Sequence, residues 1–388
     1  MVAKNEAGMN FENSILYYFG ELEDPRSDKN LTHPFINIVS IAILATICGA
    51  DDWVAIETYG NAKKAWLETF LDLNKGIPSH DTFGRVFRWL DEDAFQLKFS
   101  EWTAQICKAT DGEVVAMDGK KLRRSGDCRH GRDGIWMVSA WASENRIVLG
   151  QTKVDEKSNE ITAIPQLLAQ LDLSGCIVTV DALNTQTEIA KQIIDAQADY
   201  IMAVKGNQGT LYEDLQLLFE GFEEETYQDV RYDTAQSTHQ AHGREEYRQI
   251  WVVTDPDYRQ YLRPSNKWAK LHSLIKLVTV RYRPDKDKME THTRYFISSW
   301  QANANDFLQA IRDHWQIENG LHWVLDVAFR EDESRIRKDH APANMALLRH
   351  IAVNLLKQEK TARVGISNKR KRAGWDNDYL ERVVCHQD

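Results

Sequence analysis

Cysteine is scarce. The 388 residues contain five, Cys48, Cys107, Cys128, Cys176 and Cys385, an odd number with no CxxC pair. This argues against a disulfide framework and a Cys-rich zinc site, and makes a reducing cytoplasm the expected location. Proline is held to 8 and glycine to 20, so the chain is neither collagen-like nor low in complexity. Long apolar runs are also missing. The most apolar stretch, Pro34 to Ala50, is interrupted by Asn37, Ser40 and Thr46. It falls short of the roughly 20 apolar residues a bilayer requires and reads as a buried helix, with no membrane partner. The opening segment, MVAKNEAGMNFENSILYYFGELEDPR, is acidic and lacks the apolar centre of a signal peptide. Positive charge is in the minority, with 48 Lys and Arg against 58 Asp and Glu and a net charge of −10. Overall charge therefore gives no argument for nucleic-acid binding, which would need local basic patches.

What is present is a globular composition, 43% hydrophobic and 27% charged. At about 150 residues per domain, the length suggests two or three domains. Residues 1–110 read as a helical N-terminal domain. Phe83, Val86, Phe87 and Leu90 recur at helical spacing, with Ser79 or Asp81 as cap. A helix-turn-helix unit that binds DNA fits this stretch, as does an ordinary helical bundle. Residues 111–206 change character. Val114–Met117 is a short buried strand closed by Asp118-Gly119, and a basic loop follows. WMVSAWA and RIVLGQT flank Ser143-Glu144-Asn145 as a hairpin. Cys176–Val180 is another apolar strand, ending at Asp181. Thr185 and Glu188 suggest a capping box for the next helix. Tyr200–Val204 is a strand ending at Lys205. This alternation predicts an α/β core. Residues 207–302 read as a β-rich, mainly antiparallel insertion. Residues 303–388 return to helix, with one long helix expected from Asn303 or Asn305 to Phe329, another over 340–357, and a tail of loop and short helix.

Asp118 and Asp181 each follow a buried strand, where α/β folds expose chemistry on a fixed scaffold. Either alone could be a turn former. At about 100° per residue, Leu308, Ile311, His314, Trp315, Glu318, His322 and Leu325 share one arc, with Glu318 in its middle. A carboxylate on an inward face needs a cation, a proton or strong donors. Three convergent carboxylates suit a hard divalent ion, Mg²⁺ or Mn²⁺, and a pair of ions can serve in-line phosphoryl displacement. Glu318 paired with an arginine or protonated in the core is the structural alternative. A zinc site from His314, Glu318 and His322 is a second, although an i to i+8 separation of about 12 Å is too great for both imidazoles to share one ion. Asp326, also on the arc, and Glu331 are replacement third acids.

Several strings together resemble the insertion-sequence transposases of the DDE superfamily, in the branch of the H-repeat-associated proteins. They are AMDGKKLRRS (116–125), VSAWASENRIVLGQTKVDEKSNEITAIPQLLAQLDLSGCIVTVDALNTQ (138–186), YIMAVKGNQ (200–208), HGREE (242–246) and RDHWQIENGLHWVLDVAFREDESRIR (312–337). The likeness spans nearly the whole chain. It implies an RNase H-like core with catalytic, metal-holding acids Asp118, Asp181 and Glu318, and an insertion between the second and third. It implies metal-dependent cleavage of DNA at element ends, then strand transfer into target DNA, by a homodimer on DNA in the cytoplasm at the nucleoid. The alternatives are a catalytically inactive or domesticated DNA-binding protein of the same family, or a nuclease without strand transfer. Related transposases carry Tyr-x-x-Arg-x-x-x-Glu-x-x-x-x-x-x-Lys around the third acid. This chain has Ile311, His314 and Leu325 at the Tyr, Arg and Lys positions, so His314 would replace the arginine, either at the phosphate or behind the acids as a supporting contact.

Nucleic-acid contacts are expected from the basic loop, Lys120, Lys121, Arg123, Arg124, Arg129 and Arg132. They are also expected from Lys205, Asn207 and Gln208 after a strand, and from Arg335, Arg337 and Lys338 beyond the third-acid helix. Each group also has a plainer reading as a solvated loop or turn, as does the 369–372 KRKR patch. Trp315 and Trp323 could support their helix or stack on a base, with support the expectation.

Overall fold

A computed structural model describes residues 15–27, 31–107, 112–126, 131, 133–154, 160–223, 230–241, 243–260, 262–263 and 265–385. Arg129 and Arg132 of the basic loop lie outside these residues. The N-terminal part is helical: α1 (Ile15–Phe19), α2 (Phe35–Ile47), α3 (Trp53–Ala62), α4 (Lys64–Leu67), α5 (His80–Trp89) and α6 (Glu92–Ile106). Ser79 caps α5, accepting from the Thr82 amide at 3.4 Å. The Pro34–Ala50 stretch becomes α2, a buried helix packed against α13 (Ala341–Gln358). Among the described residues no helix is long and apolar enough to cross a membrane.

Nine strands form one sheet in the order β3-β2-β1-β4-β5-β9-β8-β7-β6. They are β1 (Val114–Lys121), β2 (Trp136–Ala142), β3 (Ile147–Val154), β4 (Ile177–Val180), β5 (Asp199–Val204), β6 (Tyr232–Ala241), β7 (Arg244–Val253), β8 (Ser273–Arg283) and β9 (Lys288–Ser298). β1, β4 and β5 are parallel, and every other pairing is antiparallel. The fold is thus mixed α/β around a large sheet. The strands of 207–302 are antiparallel, as expected. They do not make a separate sheet, because β9 pairs with β5 from Ile201↔Ser298 to Val204↔Tyr295 and extends the core sheet outward.

Helices cover both faces. On one lie α7 (Glu160–Leu168), α8 (Thr187–Asp195) and α9 (Gly209–Glu223), burying Val178, Met202, Ile193 and Leu215 in a shared apolar cluster. α10 (Pro256–Gln260) is a short link. On the other face, α11 (Ala304–His314) seats Phe307, Leu308 and Ile311 against Ile250, Leu277 and Phe296. The Asn303 side chain caps α11, accepting from the Asp306 amide at 3.0 Å.

Three expectations are corrected. The helix expected to run unbroken to Phe329 is interrupted: a π-helical segment, Ile317–His322, separates α11 from α12 (Trp323–Phe329). Thr185 forms no capping box. Its hydroxyl donates to Asp181 O at 3.1 Å and lies 2.5 Å from Ala203 O, joining the loops after β4 and β5. The tail forms two helices, α14 (Ile366–Trp375) and α15 (Asn377–Cys385). The KRKR run lies on α14 and is not simply a basic patch. Lys369 is buried and donates to Leu356 O at 2.9 Å, while Arg370 is buried against Thr46 O and Asp51.

Phe307 is wholly buried, with its ring 5.1 Å from that of Trp300. Phe307→Ala should cost about 3–5 kcal/mol of stability through lost burial and the cavity left behind. Urea unfolding measures this, and a loss below about 1 kcal/mol would contradict the packing described.

Candidate active site

The site is built by strand register. β1 and β4 run parallel and in step from Val114↔Ile177 to Met117↔Val180. The next residue on each is an aspartate, so Asp118 and Asp181 come side by side on one face. β4 stops there, while β1 continues against β2 through Lys121↔Trp136. Asp118 therefore lies within a strand whose β4 side has just opened, and not in a loop.

Surrounding groups fix both carboxylates. The Gly119 amide donates to Asp118. Asp181 Oδ1 accepts from the Asn184 amide at 3.1 Å and from Asn184 Nδ2 at 2.9 Å. The same Asn184 Nδ2 donates to buried Glu160 at 3.2 Å. Glu160 packs so closely on Gly119 that a Cβ there would run into its carboxylate. Burial first, then the charges of Asp181, Glu160 and Glu318, push Asp118 up to about 7. That accumulation of negative charge in a partly desolvated crevice is the environment a divalent cation would relieve. Among the described residues, no group of three or more His, Cys, Asp or Glu side chains, the three acids included, is placed as it stands to hold a metal ion. The candidate donors, Asp118, Asp181 and Glu318, are all carboxylates, the donor type that a hard cation takes.

Glu318 is corrected in position. The wheel put it on the inward face, but Ile317 and Leu321 are buried there and Glu318 is exposed. The π segment, wider than an α turn, changes the angular register that the wheel assumed. It seats closely because Gly320 has no side chain: a Cβ would stand 3.2 Å from the Trp141 ring. Glu318 is thus exposed, and its charge still reaches Asp118, as the weakest of the influences that raise it. Trp315 and Trp323 are also largely exposed and are not core supports. Trp315 carries the Arg294 guanidinium 4.8 Å from its ring centre.

The histidines assemble no zinc site. His314 Nδ1 is 2.8 Å from the Thr179 hydroxyl, and burial lowers its pKa to about 4. Its ring is hydrogen-bonded to β4, and its burial disfavours the charged form, which suits a supporting contact behind the acids better than a cationic one. His322 Nδ1 is 3.7 Å from Asp118 Oδ2, and burial followed by Lys120 lowers its pKa to about 3.

Lys120 is also relocated. It lies on β1, and its ammonium bonds Asp326 at 2.6 Å and Glu331 at 2.7 Å. These ion pairs direct it inward, away from the phosphate role expected of it, and occupy both replacement third acids. Burial would raise the pKa of Glu331, but Lys120, Arg349 and His350 outweigh it and lower it. Arg349 reaches Glu331 at 3.5 Å. Lys121 pairs with Asp133 at 2.7 Å and Arg123 with Asp332 at 3.1 Å. Asn207 and Gln208 donate to Ala182 O and Thr185 O, each at 2.6 Å, and lock the two loops together instead of reaching outward. Arg124, Lys205, Arg335 and Lys338 are exposed, as a nucleic-acid contact requires, and exposed Arg337 donates to Arg124 O at 3.0 Å. Sequence reasoning missed Arg294 on β9. Its signal was an arginine two residues from Phe296, at the alternation that marks one face of a strand.

Lys120→Met would leave Glu331 buried with its main countercharge gone. The expected loss is about 3–5 kcal/mol, read by denaturant unfolding. A loss under about 1 kcal/mol would show that the network contributes little.

Residues 109–355 match the family described as "Transposase DDE domain", and residues 16–103 match "DDE_Tnp_1-associated". The chain is 38% identical to "Putative transposase YncI" of Escherichia coli O157:H7, over 96% of this chain and 94% of that one. It is 36% identical to "H repeat-associated putative transposase YhhI" of Escherichia coli (strain K12), over 96% of this chain and 97% of the relative. Among solved structures, the piggyBac transposase synaptic complex with hairpin DNA aligns at 11% identity and a TM-score of 0.42, covering 96% of this chain and 78% of that one.

Proposed function

Because the chain belongs to the DDE transposase family, we propose that it is an insertion-sequence transposase that cleaves DNA at element ends and joins the freed ends to target DNA. One observation carries the catalytic part. In-register parallel strands set Asp118 beside Asp181, and Glu318, on the π segment, is near enough for its charge to act on Asp118, which supports a third acid there. An RNase H-like reading of the core is supported by the antiparallel run β3-β2-β1 leading into parallel β4 and β5.

Asp118, Asp181 and Glu318 would hold one or two Mg²⁺ or Mn²⁺ ions. Bound there, such ions supply countercharge, activate the nucleophilic oxygen and stabilise the leaving oxygen. In the cleavage step water attacks phosphorus and the P–O3′ bond breaks, leaving a 3′-hydroxyl. That hydroxyl then attacks a target phosphodiester and displaces a target 3′-oxygen. The Gly119 amide and Asn184 hold the two aspartates in place through both steps. Thr185, Asn207 and Gln208 keep the loops beyond β4 and β5 from spreading. Neutral His322 sits beside Asp118 without competing as a cation. Exposed Arg124, Lys205, Arg335 and Lys338 are suited to DNA phosphates, and two copies of the chain would act on paired ends.

Incubation with linear DNA carrying the element's terminal repeats and Mn²⁺ should yield joined products. Nicks without joining would support a nuclease instead, and a mobility shift without cutting would support a binding protein. Asp118→Asn should lower both chemical steps by at least about 10²–10³-fold while retaining DNA binding. Cutting at the wild-type rate would remove Asp118 from the mechanism.

A further inference from the structure

The face of the sheet that bears the acids changes charge away from them. On β7–β9, Ile250, Leu277 and Phe296 lie under α11. One strand repeat further along β7 and β9, and two along β8, the same face presents charged groups. Register fixes this: Ile250↔Leu277 and Leu277↔Arg294 share a row, and Glu246↔Arg281 lie on a row further out. Alternation then places Arg244, Glu246 and Arg248 on the Ile250 face and Arg294 on the Phe296 face. Arg312 comes from α11, which packs on β7.

Four guanidinium groups, on Arg244, Arg248, Arg281 and Arg294, thus lie within electrostatic reach of one buried carboxylate, Glu246, and a fifth, on Arg312, acts on Arg248. Glu246 accepts from Arg248 at 2.6 Å and Arg281 at 2.8 Å. Glu290 lies opposite Arg281 at the outer edge, with Lys288 2.7 Å from it. Cations so outnumbering anions repel one another. Burial, partly offset by Glu246, and then Arg312, Arg281 and Arg244 hold Arg248 below the usual arginine range. Its Nη1 is buried and has no hydrogen-bond partner among the described residues. A fold that keeps arginines half-buried and under-paired bears a cost that a polyanion on the face would offset. The inner end of this surface is Arg294, stacked on Trp315 and within electrostatic reach of Glu318. His314, where related transposases carry arginine, is neutral and hydrogen-bonded to Thr179, and Arg294 brings a cation to the same helix end from the neighbouring strand.

We propose that this arginine surface binds the phosphodiester backbone of duplex DNA and leads it to the acidic crevice, with Arg294 as the contact nearest the reacting phosphate. The proposal rests on the DNA-acting reading of the acid site. Backbone contacts of this kind are independent of base sequence and sensitive to salt.

The test uses the full chain and a fluorescently labelled duplex of arbitrary sequence, with affinity measured across a salt series. The double variant Arg294→Gln/Arg312→Gln should bind about tenfold or more weakly, with a log–log salt slope shallower by about two. Arg294→Lys, which keeps the charge, should restore most of that slope. Glu246→Gln should act in the opposite direction and tighten binding by several-fold, a gain that damage to the fold would not produce. Thermal unfolding of each variant checks that it is folded. Wild-type affinity and slope in the folded double variant, or weaker binding by folded Glu246→Gln, would overturn the proposal while leaving the DNA-acting reading intact. Failure of the wild-type chain to bind any duplex would overturn that reading and the proposal with it.

Discussion

Like charges forced together at the end of two parallel strands are the constraint on which the rest of this structure depends. The pairing of Met117 with Val180 leaves the next residues, Asp118 and Asp181, no choice but proximity. Burial and mutual repulsion raise the proton affinity of Asp118. Much of the surrounding architecture can be understood as a means of holding that unfavourable arrangement. Asn184 bridges Asp181 and Glu160, and the absent side chain at Gly119 admits Glu160 against the strand. Crosslinks between the loops after β4 and β5 limit how far they can separate.

A second electrostatic layer lies behind the first. Lys120, two residues beyond Asp118, ties β1 to α12 through Asp326 and to the segment after it through Glu331, and Arg349 of α13 closes the group from beneath. The strand that carries the first acid is thereby connected to the helical element that carries the third. Buried ion pairs of this kind contribute more to fixing geometry than to net stability. A site built from separate segments of the chain requires fixed geometry, because carboxylates that drift apart lose the charge density on which their chemistry rests.

The two aspartates were legible in the sequence because each ends an apolar run, and such runs mark buried strands whatever the topology. The helical N-terminal part and the antiparallel character of the later strands were legible from residue periodicity alone. The attachment of those strands to β5 was not, because alternation reveals which residues share a face but not which strand lies beside it. Glu318 was legible as a residue and misplaced as a surface. A wheel drawn at constant pitch cannot anticipate the π segment, and the Gly320–Trp141 contact that seats it joins residues remote in sequence. Lys120 and His314 show the same limit. The basic loop suggested a phosphate contact for Lys120 and the family signature suggested one for His314, but both side chains face groups far along the chain, Asp326 and Glu331 in one case and Thr179 in the other. The arginines of β7–β9 were hidden for a related reason, being spread over three strands and a helix that only the folded sheet brings together.

The most direct measurement is a crystal of the wild-type chain grown with Mn²⁺ and examined by anomalous scattering. Manganese should appear in the crevice within about 2.0–2.3 Å of oxygens from Asp118, Asp181 and Glu318, the range for hard-cation ligation. Manganese bound elsewhere with the crevice empty at saturating ion, or bound to the aspartates with Glu318 turned away, would contradict the three-acid site.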